Sequence, residues 1–262
     1  MKWNHKPTNN CSNLKARRLH RKTMETELSD SSLGSIGRST ALLGLILVAI
    51  APTVSVVTGF VLKGELFAVF VFCITKVWLF GLPAYWHIKI ERKPFSWSPP
   101  VNGGWLMSFA LGIGIILVII GAYVLLGEMM IDQQTLYELL EPVGLTTPIK
   151  LAGAILFWVF INSVLEEYVF RWFITTKASI LFGNDYYAII FSAFLFTLHH
   201  ALALYFFGFI FWQIFIASFG LLSAAAIWSW LYLKYQSIWV CWLSHAICDV
   251  VVFLIGYRIL FM

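Results

Sequence analysis

Long apolar runs broken by short polar stretches dominate the chain from residue 41 onward. They predict seven membrane-crossing helices at about 41–62, 66–88, 104–126, 150–178, 185–206, 208–233 and 237–259. Each approaches or exceeds the ~20 apolar residues that cross a ~30 Å hydrocarbon core. Pro52 and Pro83 fall inside the first two runs, where neighbouring helices can absorb a kink. The fold class is therefore all-α, a polytopic integral membrane bundle, with an eighth or re-entrant piece near 206–212 as the variant.

Ionisable residues interrupt three of the later runs. Segment 151–174 carries Glu166, Glu167 and Arg171, the next carries His199 and His200, and the last carries His245 and Asp249. A charge at the bilayer centre costs roughly 2.5–3.5 kcal/mol even on the lenient insertion scale, so such groups mark function or mutual pairing. With ~1.5 Å rise per residue, all could meet at one depth. Glu167 and Arg171 are i,i+4 with the acid first, the favourable order for an intrahelical pair. Glu166 projects about 100° away, in line with Asn162, and is free to face the interior. His245 and Asp249 share a face. His199 and His200 diverge, which predicts that only one enters the site and that His199 is a helix–helix hydrogen bonder.

A carboxylate with imidazoles suits water activation. The same groups also suit a proton or ion path, or polar glue between helices. An enzyme, a transporter and a structural cluster all remain open on these residues alone.

Composition supports the membrane class: 60% hydrophobic and 12% charged residues, against about 45–50% and about 25% in soluble domains. The first forty residues differ, being basic and rich in Ser, Thr and Asn, and predict a disordered tail. Much of the formal charge of +5 sits there, suiting a topogenic or lipid-contacting role rather than nucleic-acid binding. A cytoplasmic tail agrees with Lys89, Arg92 and Lys93 in loop 89–103, and with Lys177 and Lys234 at helix ends. Loop 127–149 has Glu128, Asp132, Glu138 and Glu141 without Lys or Arg, and fits the outside. Three regions follow: tail 1–40, helices and acidic loop 41–149, and a core 150–262. No internal repeat is apparent.

Other residues have plainer readings. Cys11 lies in the tail and Cys73 in a span. Cys241 and Cys248 are two turns apart on one helix, too far for a disulfide. Lys76, mid-span, could face a cavity or pair with a carboxylate, but snorkelling is the preferred expectation. Trp97, Trp105, Tyr186 and Tyr187 suit interfacial anchors. Gln213, Ser218 and Ser223 suit interhelical hydrogen bonds.

Three stretches together resemble a known family. LEEYVFR (165–171) is similar to an EExxxR motif, FTLHH (196–200) to FxxxH with Phe196 and His200, and HAICD (245–249) to Hxxx followed by Asn or Asp. These are the motifs of the CAAX-protease and bacteriocin-processing (CPBP, or Abi) group of glutamic intramembrane proteases, and the resemblance covers about 150–258. It implies an intramembrane endopeptidase in which Glu166 activates water, Glu167 and Arg171 support it, and His200 positions the water. His245 and residue 249 would stabilise the oxyanion. An ionised aspartate cannot donate as asparagine does, so Asp249 is expected to orient His245 instead.

The resemblance also implies no cofactor, with zinc on the Glu, His and Asp groups as the minor alternative. The expected partners are a protein or peptide with a membrane-associated segment and the lipid bilayer. A bacterial inner membrane is the expected location. Candidate substrates are bacteriocin leaders, C-terminal anchors of exported proteins and CAAX tails, the last least expected in a bacterium. A transporter, or a non-catalytic scaffold or immunity protein, is the alternative to the peptidase.

Overall fold

The structure is a computed structural model, described here for residues 37–59, 61–62, 66–130 and 132–262. The tail expected over 1–40 falls, up to residue 36, outside the described residues. Among the described residues, seven helices are long and apolar enough to cross a membrane: α1 (Gly37–Gly59), α2 (Leu66–Ile90), α3 (Trp105–Met130), α5 (Pro148–Phe182), α6 (Asp185–Phe206), α7 (Phe211–Tyr235) and α8 (Ile238–Phe261). The short helix α4 (Gln133–Leu140) lies between α3 and α5. The described residues contain no strand. The predicted spans are all present, and residues 207–210 form a turn rather than an eighth crossing.

The acidic loop 127–149 thus holds a helix that hydropathy alone did not indicate. Its start is fixed by Asp132, whose Oδ1 accepts from Thr135 N at 2.8 Å and whose Oδ2 accepts from Thr135 Oγ1 at 3.0 Å. Gln133 Nε2 ties the helix to the far end of α8 through Leu260 O at 3.0 Å.

Helix α5 carries most of the candidate residues and is irregular. Two wider π-helical stretches, Trp158–Asn162 and Glu167–Thr175, interrupt its α-helical turns. Such turns free carbonyls, which must find donors in a span without water. Trp242 of α8 donates to Val159 O at 3.2 Å. Phe170 O accepts from Thr175 Oγ1 at 2.8 Å and from Ser192 Oγ of α6 at 2.9 Å. The hydroxyls therefore stabilise a local geometry that plain 3.6-residue periodicity does not anticipate.

The end of α5 turns directly into α6. Gly183, at φ +63°, ends α5 in the left-handed region open to glycine, and Asn184 Oδ1 caps Tyr186 N at 2.8 Å. Small residues allow α3 to pack closely on α8. A Cβ on Gly112 would stand 3.3 Å from Ser244 Cα, and Ser108 Oγ accepts from Ser244 N at 3.1 Å while donating to Val240 O.

Helices α2 and α5 run parallel and are laced together from Phe80 and Tyr168 to their C-terminal ends. Tyr168 donates to Phe80 O at 2.9 Å, the rings of His87 and Trp172 meet at 4.9 Å, and Lys177 pairs with Glu91. Lys177, expected as a simple helix-end charge, is buried in this contact. The loop after α2 also caps α8: Ser98 Oγ accepts from Ile238 N at 3.0 Å, and Trp239 Nε1 donates to Trp97 O at 2.8 Å.

The residues expected to hold helices together divide. Gln213 Nε2 donates to Met129 O across α7 and α3 at 2.8 Å. Ser223 instead bonds its own helix at Phe219 O, and buried Ser218 Oγ has no hydrogen-bond partner among the described residues. A serine in a helix has its own i−4 carbonyl within reach, which competes with any interhelical partner. Cys73, Cys241 and Cys248 are free thiols.

Candidate functional site

The polar groups of α5, α6 and α8 converge. On α5, Glu167 and Arg171 are completely buried, with Glu167 Oε2 3.2 Å from Arg171 Nε. The other Glu167 oxygen reaches α8, where Oε1 is 2.8 Å from His245 Nδ1. A carboxylate only accepts when ionised, so this contact places a proton on Nδ1 and turns Nε2 towards the rest of the site. Nε2 lies 3.7 Å from Glu166 Oε2 and 3.5 Å from Asp249 Oδ1. The residue hydrogen-bonded to His245 is thus Glu167 rather than Asp249.

Glu166 is less confined. Its side chain is 20% exposed, and its Oε1 accepts from Asn162 Nδ2 at 2.8 Å, one turn earlier. It is the one acid of the adjacent pair with an oxygen facing open space.

Both histidines of α6 enter the site, contrary to the expectation that one would turn away. His199 Nδ1 is 3.3 Å from Leu195 O, and His200 Nδ1 is 2.8 Å from Phe196 O. Tethered to carbonyls one turn back, the two rings lean together with centroids 4.1 Å apart. A carbonyl can only accept, so each Nδ1 is the donor and each Nε2 remains available. Glu166, His199 and His200 offer ligand atoms that all lie within 4.8 Å of one another. This set of two imidazoles and one carboxylate, with the imidazoles held by backbone carbonyls, is a donor arrangement that could hold zinc.

Aromatic rings surround the charges. Arg171 sits with its guanidinium carbon 4.6 Å from the Phe196 ring centre and 5.4 Å from that of Trp228. Its Nη1 and Nη2 donate to no acceptor among the described residues, so ring faces supply much of its stabilisation. Trp228 of α7 also stacks on His245 at 4.1 Å and 18°, while its Nε1 donates to Ser244 Oγ at 3.2 Å. Phe196 meets His245 edge-on at 5.9 Å. Sequence reading missed Trp228, because one apolar Trp in an apolar helix carries no separate signal. Its buried neighbours Ala224 and Ala225 are the trace of the close packing that seats it.

A cavity of about 640 Å³ opens beside this cluster. Glu166, Asn162 and His199 lie on one side of it, with apolar residues of α5 and α6, and mostly apolar residues of α1, α2 and α4 line the opposite side. Lys76 also lines it, so the snorkelling expectation gives way to a cavity-facing lysine.

Residues 148–251 match the family model for type II CAAX prenyl endopeptidase Rce1-like proteins. This segment is an Rce1-like domain. The match supports a CAAX-type intramembrane protease family for this part of the chain. No curated protein and no solved structure matches the chain. The Rce1-like domain begins with the first residue of α5 and ends within α8, so it includes all the converging polar residues on those helices and on α6. Lys76 and the other cavity residues of α1, α2 and α4 lie outside it.

Proposed function

We propose that the protein is an intramembrane endopeptidase in which Glu166 activates water without a metal. The observation carrying this reading is Glu166 itself: a carboxylate on the wall of the cavity, oriented by Asn162 and within reach of His199 and His200. A water donating one proton to Glu166 and the other to the Nε2 of one histidine would be held while the carboxylate removes its proton. The resulting hydroxide adds to the scissile carbonyl. His245, with its Nδ1–H held by Glu167 and a second proton on Nε2, would donate through Nε2 to steady the oxyanion. Collapse breaks the C–N bond, and the proton held by Glu166 passes to the leaving amine.

The substrate class is a peptide with a membrane-associated, lipid-modified or apolar C-terminal region, consistent with the Rce1-like domain. The basic N-terminal region and Lys234 support a reading with the N-terminus on the cytoplasmic side, and a plasma membrane is the location that goes with it.

The test is cleavage of an S-farnesylated peptide by the purified full chain in lipid nanodiscs. Cleavage is expected from wild type in the presence of a chelator, and is expected to be lost in folded Glu166→Ala and His200→Ala proteins. Both variants cleaving at the wild-type rate would sink the assignment. Activity lost to chelator and restored by zinc would replace free water by a metal-bound one. Ion flux dependent on Glu166, with no product, would return the transporter reading.

A further inference from the structure

The helix ends sort by charge. Arg38, Lys89, Arg92, Lys93, Lys177 and Lys234 stand towards one end of the bundle. Contacts between connections make that end a single face: Lys177 pairs with Glu91, Asn102 Nδ2 donates to Tyr235 O at 3.3 Å, and Ser237 Oγ donates to Ser98 O at 2.7 Å. The opposite face joins α4 to the end of α8, and the start of α7 to the end of α3. Among the described residues its lysines and arginines are Lys150 and Arg258. Lysine and arginine bias sets orientation in a membrane, so the first face is the cytoplasmic one.

The cavity beside Glu166 leads to the other face. Its exposed wall residues include Gly59 at the end of α1, Glu138 and Pro142 between α3 and α5, and Phe207 after α6. Towards the basic face the bundle is packed shut. Leu45 and Val48 of α1, Trp86 of α2, Phe173 and Ile174 of α5, and Leu231 of α7 are all buried. The rings of Trp86 and Phe173 meet edge-on at 6.5 Å, and a Cβ on Gly44 would stand 3.2 Å from an atom of each. Interiors packed this closely hold few voids as large as a water. Glu166 lies only ~16 Å along α5 from Lys177 at ~1.5 Å per residue, yet that way is filled.

We propose that the site is reached from the extracytoplasmic side, so that its substrates are membrane-associated peptides already exported, and translocation across the membrane precedes cleavage. This rests on the peptidase reading and narrows its substrate class. A lipid-modified tail kept in the cytoplasm meets the packed face. An exported segment held at the outer surface of the membrane meets the mouth. The water consumed in hydrolysis enters by the same opening, and both products leave on that side.

The experiment places single cysteines in the full chain carrying Cys11→Ser: Thr147→Cys on the mouth face, Ser55→Cys on the cavity wall and Val101→Cys on the basic face. The three positions are uncharged, so the charge bias is preserved. A membrane-impermeant maleimide applied to intact producing cells should label Thr147→Cys and Ser55→Cys above the Cys11→Ser parent. It should reach Val101→Cys only after permeabilisation. Labelling of Val101→Cys in intact cells overturns the proposal, as does a Ser55→Cys that is not labelled from outside.

Sealed vesicles separate this proposal from the peptidase reading. An S-farnesylated peptide extended with lysines, which cannot cross the bilayer, should be cleaved when added to right-side-out vesicles. Cleavage should be lost in inverted vesicles and recovered when detergent opens them. Cleavage by sealed inverted vesicles, alone or equally, overturns the proposal and leaves the peptidase standing. External labelling of Ser55→Cys with no cleavage in any preparation counts against the peptidase reading and leaves the direction of the cavity standing.

Discussion

His245 and Glu167 are joined at 2.8 Å through Nδ1 and Oε1, linking α8 to the helix that carries Glu166. Because the opposite edge of Glu167 faces buried Arg171, three side chains form one continuous charged row without solvent. Each member depends on the others for compensation.

Removing one end of that row should be costly. Arg171→Met leaves a buried carboxylate facing only a histidine, and is expected to destabilise the protein by about 3–5 kcal/mol. The double variant with Glu167→Gln should lose less than the sum of the singles, because the uncompensated charge is gone. Thermal unfolding in detergent of the four proteins checks this, and strict additivity would contradict it.

Asn162 should matter for rate and not for stability. Its amide orients Glu166, whose side chain is partly open, and no packing network depends on that bond. Asn162→Ala is expected to lower kcat by about ten- to a hundredfold, the worth of a hydrogen bond to a charged group. An unchanged kcat in the folded variant would show that Glu166 needs no such brace.

Trp228 has separable contributions. Trp228→Phe keeps a ring against His245 and Arg171 but loses the bond to Ser244, at a cost of about 0.5–1.5 kcal/mol. Trp228→Ala removes both ring contacts and should cost about 3–5 kcal/mol together with most of the cleavage. Equal effects from the two variants would assign the role to the indole N–H instead of the ring.

A fourth expectation concerns acid. Burial alone would raise the carboxyl of Glu91, but the hydrogen bond and charge of Lys177, with Lys93 at 3.3 Å, outweigh it and hold the group below its ordinary range. A carboxyl lowered on folding contributes stability above its unfolded titration range and loses it as pH falls through the folded value. Unfolding at pH 7 and at decreasing pH should show this acid loss in wild type. The loss should be reduced in Glu91→Gln, which is already less stable at neutral pH. Parallel pH profiles would refute the link.

The spans and the identities of the converging residues were legible because apolar runs and charges within them are one-dimensional signals. Glu166, Glu167, Arg171, His200, His245 and Asp249 all fall in such runs and meet in the structure. The direction of the side chains was less legible. The turn at which His199 leans onto His200, and the transfer of the His245 bond from Asp249 to Glu167, depend on wider turns in α5 and tethers to carbonyls. Periodicity fixed at 3.6 residues does not contain these. Trp228 and the orientation of Lys76 depend on contacts between helices distant in sequence, where local pattern is silent.

The lacing of α2 to α5 has a consequence for how such a protein can diversify. The polar cluster is written in one stretch of the chain, while much of the cavity wall facing it is written in another, around Pro52, Lys76 and Leu139. Substitutions in the earlier stretch can alter what is admitted and leave the reacting groups untouched. Grafting α1 and α2 between relatives, with the Phe80 and Glu91 contacts preserved, would then exchange preference as a unit and leave the chemistry in place.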